Sequence, residues 1–161
     1  MNKISMAGLG LAVSATMCAT PAIAATATTT MSVTATVQAT CTISATTLAF
    51  GTYSGVQLDG SSTLTVNCTN TTPYTLALDA GTGTGATVAT RKMSASAQTL
   101  NYSLYQDSGR ATLWGQTTGT DTAAGTGNGG AQPLTVYGRI SGGQLPTPGS
   151  YADTITATIT Y

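Results

Sequence analysis

The 161-residue sequence contains no histidine, and its five acidic residues are all aspartates: Asp59, Asp79, Asp107, Asp121 and Asp153. Without imidazole or glutamate, general acid–base chemistry near neutral pH loses its usual groups. A paired-carboxylate hydrolase would need two of the scattered aspartates to converge. The chain is therefore read as a non-enzyme that needs no cofactor and no metal. Charge of either sign is scarce, at 6% of residues, and the cations are Lys3, Arg91, Lys92, Arg110 and Arg139. No basic patch is available for a nucleic-acid partner. Such a surface also has little self-repulsion to keep copies apart. No run of 18 apolar residues is present to form a transmembrane helix, and no segment shows a convincing 3.6-residue apolar period. Gly81-Thr82-Gly83-Thr84-Gly85 resembles a phosphate loop only superficially. It lacks the following Lys-Ser/Thr and a helix, so it reads as a flexible hairpin loop.

What is present is Thr, Ala and Gly arranged in alternation. Asp153 to Tyr161 alternates apolar residues with Thr and places Ile155, Ala157, Ile159 and Tyr161 on one face. Met31 to Val37 alternates in the same way, with Met31, Val33, Ala35 and Val37 on one face. Period-2 alternation marks half-buried strands, and β-branched Thr and Val suit a pleated surface. Strands are expected at 30–44, 47–51, 62–68, 73–79, 91–94, 99–106, 111–114, 132–139 and 151–161. Between them, Asp59-Gly60, Asn70-Thr71-Thr72-Pro73 and Pro148-Gly149 read as turns. The Gly- and Thr-rich stretch 115–130 reads as a long mobile loop. Short strands separated by such breaks predict an all-β sandwich.

The first 24 residues read as a secretory signal peptide, with Lys3, the apolar and small stretch from Met6 to Ala15, and Ala22-Ile23-Ala24 as the cleavage pattern. Cys18 leaves with it. Cys41 and Cys68 remain, an even count that reads as a disulfide in an exported chain. Two free buried thiols or a metal pair are the alternatives, although two Cys without His make a poor metal site.

The run from Met31 to Ile43 would span over ~40 Å as one strand, too long for a small sandwich. It divides into an extension over 25–38 and a core strand starting near Ala39. The extension is either a strand of its own domain or a strand given to a neighbour. The final run, with no later strand to cover it, is expected to border an open acceptor site. The aromatics read mostly as core filling. Tyr105, opposite in parity to Tyr102, is the best exposed candidate for a carbohydrate contact.

An ordered set of pieces carries a family resemblance. Cys41 is followed by Leu48-Ala49-Phe50-Gly51-Thr52-Tyr53, Val66-Asn67-Cys68-Thr69, Tyr74 and Asp79-Ala80-Gly81. Then come Arg91-Lys92-Met93, Leu100-Asn101-Tyr102-Ser103-Leu104-Tyr105, Trp114-Gly115, Val136-Tyr137-Gly138-Arg139-Ile140 and Gly149-Ser150-Tyr151-Ala152-Asp153-Thr154. Together, over about 39–161, these resemble the spore coat protein U domain found in Csu-type pilins of archaic chaperone–usher pili. Ser141 departs from the proline expected after Gly-Arg-Ile, which touches one local turn.

The resemblance implies an incomplete immunoglobulin-like β-sandwich completed by donor-strand exchange. It divides the chain into a signal peptide (1–24), a donor-strand extension (25–38) and a sandwich domain (39–161). Met31, Val33, Ala35 and Val37 would be the donor side chains. Ile155, Ala157, Ile159 and Tyr161 would edge the acceptor groove, and the Cys41–Cys68 bond would brace the domain. The implied partners are a periplasmic pilus chaperone, an outer-membrane usher and other pilin subunits, including copies of itself. The implied role is a structural subunit of an extracellular adhesive pilus, exported through the periplasm and supporting surface attachment and biofilm formation. A secreted spore-coat or matrix protein of the same fold is the alternative, followed by a monomeric carbohydrate-binding module.

Overall fold

The computed structural model describes Pro21 and residues 23–161. Most of the expected signal peptide therefore lies outside the described residues. The chain falls into two units, Met1–Thr36 and Val37–Tyr161. In the first, the described residues form no helix or strand and are exposed, Met31 by 84% and Val33 by 82%.

The second unit is built from β1 (Cys41–Ala45), β2 (Leu58–Cys68), β3 (Pro73–Leu78), β4 (Arg91–Ala95), β5 (Gln98–Tyr105), β6 (Ala123–Thr126), β7 (Ala131–Ile140) and β8 (Ala157–Thr160). They form a five-stranded sheet in the order β1-β2-β7-β5-β4 and a three-stranded sheet in the order β6-β3-β8. Every named pair is antiparallel. Alternation buries one face of each strand: Leu64, Val66 and Cys68 from β2, Tyr74, Leu76 and Leu78 from β3, and Leu100, Tyr102 and Leu104 from β5. This is an all-β, immunoglobulin-like sandwich. Cys41 and Cys68 face each other in the β1–β2 ladder and are joined by a disulfide.

Several expected boundaries shift for identifiable reasons. The expected strand 30–44 is regular only over Cys41–Ala45, where β2 supplies a ladder. Asp59-Gly60 is not a turn. β2 begins at Leu58, and Gly60 stands opposite Gly138. The stretch 111–114 contributes only the isolated bridge Tyr105–Leu113. The final run is regular over Ala157–Thr160, preceded by a bridge between Ser94 and Ala152.

The 115–130 stretch is fastened rather than loose. Its β6 pairs with β3, so that Thr126 faces Pro73. Asp121 Oδ1 accepts the Thr117 N–H, and Gly127 exchanges backbone bonds with Thr71 and Thr72 at 2.8 and 2.7 Å. Ala and Gly, weak strand signals, here pair because Tyr74 packs over Gly125 in the facing register.

Arg91 is fully buried and makes the sandwich interior cohere. Its guanidinium donates to the carbonyls of Asp79 (2.8 Å), Val88 (2.9 Å), Leu78 (3.1 Å) and Trp114 (2.7 Å). A buried charge is tolerable when its donors are satisfied, and the planar fork of arginine reaches four carbonyls at once. Trp114 is also buried, and its indole N–H donates to Leu76 O at 2.9 Å.

Candidate functional site

β1 is an edge of the five-stranded sheet and β8 an edge of the three-stranded one. Between the chain that continues β1 and the chain that leads into β8 lies an open groove of about 1130 Å³. One wall is the segment 45–53, carrying Leu48, Phe50 and Tyr53. The other is 146–157, carrying Tyr151, Ile155 and Ala157. The floor is the sandwich interior, including Leu64, Leu100, Tyr102, Leu104, Val136 and Ile140.

The first wall is shaped by what β2 and β7 lack. Thr46 closes the β1 ladder through its N–H to Thr63 O at 2.9 Å. Beyond it the chain leaves the sheet, and no strand forms over the expected 47–51. Gly60 and Gly138 present no side chain there, and Leu48 and Phe50 fill the space, with Phe50 edge-on to Tyr102 at a centroid distance of 6.0 Å. At the far end, the Tyr53 hydroxyl donates to Ser141 O at 2.9 Å and accepts the Gln144 N–H at 3.0 Å. Leu48 and Phe50 lie in the expected strand 47–51, which does not form. Their alternation was visible, but the two glycines that let them drop across the sheet were in separate strands.

The second wall is held by two aspartates. Asp79 Oδ1 accepts the N–H groups of Gly81 and Thr156, each at 2.9 Å. Asp153 accepts the Thr82 N–H and hydroxyl through Oδ1 at 2.8 and 2.9 Å, and the Tyr102 hydroxyl through Oδ2 at 2.7 Å. Burial opposes ionisation of Asp79, but the Thr156 and Gly81 donors outweigh it and leave the carboxyl below its ordinary value. Burial, then the bond to Asp153, pushes the Tyr102 phenol upward. The expected hairpin loop at 81–85 is correspondingly crowded, for a side chain on Gly81 would run into the Asp153 carboxylate.

Of the residues expected at the acceptor edge, Ile155 and Ala157 line the groove. Ile159 faces Leu76 and packs against the core, while Tyr161 is 57% exposed. Of the expected donor residues, Met31, Val33, Ala35 and Val37 are exposed and outside any strand. Tyr105 lies opposite Tyr137 on the outer face of the five-stranded sheet, but Arg110 already covers the Tyr137 ring at 5.7 Å. Among the described residues no group of three or more His, Cys, Asp or Glu is placed to hold a metal.

An immunoglobulin-like sandwich with an open groove between two sheet edges is an incomplete β-sandwich. The chain belongs to the Spore Coat Protein U domain family, whose family model matches residues 27–158. It is 38% identical over 126 residues to "Protein U" of Myxococcus xanthus, covering 70% of each protein. Its fold is similar to a chain in the crystal structure of the CsuC–CsuE chaperone–tip adhesion subunit pre-assembly complex from archaic chaperone–usher Csu pili of Acinetobacter baumannii. That match has a TM-score of 0.59 and 21% identity, and covers 78% of this chain. The present chain spans 41% of the length of that structure's chain.

Proposed function

We propose that this protein is a structural subunit of an extracellular fibre built by the chaperone–usher route through donor-strand complementation. The observation that carries the reading is the open groove between the β8 edge and the 45–53 wall, in a chain whose 25–38 segment alternates apolar residues and exposes them. An exposed apolar groove with unpaired backbone is a site for strand addition and a liability if left open. A periplasmic chaperone strand would fill it first, and an outer-membrane usher would mediate its replacement by the 25–38 segment of another subunit. Met31, Val33, Ala35 and Val37 would enter the groove beside Ile155 and Ala157, with Ile159 and Tyr161 continuing that edge. If four such side chains bury about 100 Å² each, transfer alone contributes roughly 10 kcal/mol before ordering costs. Exchange then proceeds without a cofactor or nucleotide. Export through the periplasm to a surface pilus, with attachment and biofilm formation as outcome, follows from the same reading. The family's description favours a second reading, a coat or matrix protein in which the same groove joins copies.

Thermal melts test the proposal. A variant starting at Ala25 is compared with one in which 25–38 is moved behind Tyr161 through a flexible linker. Self-complementation is expected to raise Tm by about 10 °C or more and to abolish polymers on a sizing column. Equal Tm values with both variants monomeric would refute strand donation.

A further inference from the structure

Apart from the N-terminal segment and Tyr161, the exposed large hydrophobic residues among those described are Val56, at 66%, and Leu145, at 94%. They sit on adjoining loops, where the Gly143 N–H donates to Gly55 O at 2.8 Å. A single exposed leucine on a loose loop has no special meaning. This loop is clamped. Gln144 Oε1 accepts the Asn101 N–H and its Nε2 donates to Asn101 O, both at 2.8 Å, so the side-chain amide serves β5 as a neighbouring strand would. The next residue, Leu145, points into solvent from a fixed base, and Pro146 after it lines the groove.

We infer that Val56 and Leu145 form a second contact between copies of this chain, made with the copy whose 25–38 segment occupies the groove. The inference rests on the strand-donation reading. β8 runs away from the Leu145 end, from Ala157 opposite Leu78 to Thr160 opposite Thr75. A donor strand that continues the all-antiparallel pattern therefore runs toward Leu145 and emerges beside it. Four residues carry the donor chain from Val37 to Cys41, about 13 Å when extended. The donor's disulfide end is thereby drawn onto the Leu145 loop. That end comprises Thr40 bonded to Thr69 and the 127–130 turn bonded to Thr71 and Cys68. Neither surface bears charge: 54–57 and 141–149 are uncharged, as are 69–72 and 127–130. Nothing repels the pair, and a small apolar knob meets a neutral surface of Thr, Asn and Gly.

The test is photo-crosslinking of the full chain carrying benzoylphenylalanine at position 145, secreted into an oxidising compartment and irradiated as assembled polymer. The expected product is a covalent dimer with the link, located by mass spectrometry, at 38–40, 69–72 or 127–130 of the second copy. Polymers that still dissociate into single chains on heating, or links only to other regions, would overturn the contact and leave strand donation standing. A wholly monomeric product would overturn both. A variant with Val56→Lys and Leu145→Lys supplies an independent readout. Polymers should still form, and electron micrographs should show at least a twofold drop in persistence length. Unchanged stiffness would refute the contact.

Discussion

Gly138 and Phe50 meet so closely that a Cβ on Gly138 would lie 2.7 Å from the tip of the Phe50 ring. The opposing Gly60 leaves slightly more room, 3.1 Å to the same ring. The groove wall thus depends on two absent side chains, and the two positions should respond unequally.

Gly138→Ala is expected to displace Phe50 and Leu48 toward the groove, destabilising the domain by about 1–3 kcal/mol. Gly60→Ala, with its looser contact, should cost less. Denaturant titration of the self-complemented variant measures both, and equal losses would contradict the assignment of Gly138 as the tighter contact.

Replacing both Cys41 and Cys68 by Ser is expected to remove roughly 2–4 kcal/mol, because the bond closes a loop of sequence separation 27. Urea melts of the oxidised wild type and the double variant provide the comparison. Coincident midpoints would show that the bond adds nothing to stability.

Arg91→Lys should be costly although it keeps the charge. An ammonium has three donors and no fork, so at least one of the four carbonyls around Arg91 loses its partner in the buried interior. A loss of about 2–4 kcal/mol is expected. A lysine variant as stable as wild type would show that the network is dispensable.

Stability should fall in acid. The folded Asp79 carboxyl binds a proton less readily than an unfolded one, whose ordinary value is about 3.9. Its contribution is therefore present above about pH 4 and is lost as pH falls through the lower folded value. Asp59, lowered by its bond to Arg139, acts in the same direction. Melting from pH 6 to pH 2.5 should show a decline below pH 4. Asp79→Asn, which retains an oxygen acceptor for Thr156, should show a shallower one. Parallel profiles would exclude Asp79 as a contributor.

The alternation of Leu64, Val66 and Cys68, of Tyr74, Leu76 and Leu78, and of Leu100, Tyr102 and Leu104 made the core strands legible, because burial of one face imposes period 2. The pairing of Cys41 with Cys68 was legible from the even cysteine count left in an exported chain, and the structure joins them. Three features were hidden. β6 is made of Ala, Ala, Gly and Thr, residues that carry almost no strand signal, and it forms because β3 offers a ladder. Asp59-Gly60 has the chemistry of a turn, yet Gly60 is chosen by the Phe50 ring above it. The wall segment alternates like a strand at Leu48 and Phe50 but has no partner in its own sheet beyond Thr46. Tertiary context decided each of these cases, and local sequence could not express it.

The disulfide also governs how the molecule carries load. A chain pulled by its N-terminal segment receives tension at Cys41, the first residue of a five-residue strand that would otherwise peel away one bond at a time. The sulfur bridge shunts that tension directly to Cys68 and so to the end of β2, an 11-residue strand locked in register along β7 from Leu58–Ile140 to Asn67–Ala131. Force is then resisted by many bonds sheared together. Single-molecule traces of the oxidised protein should yield at markedly higher force than those of the reduced one.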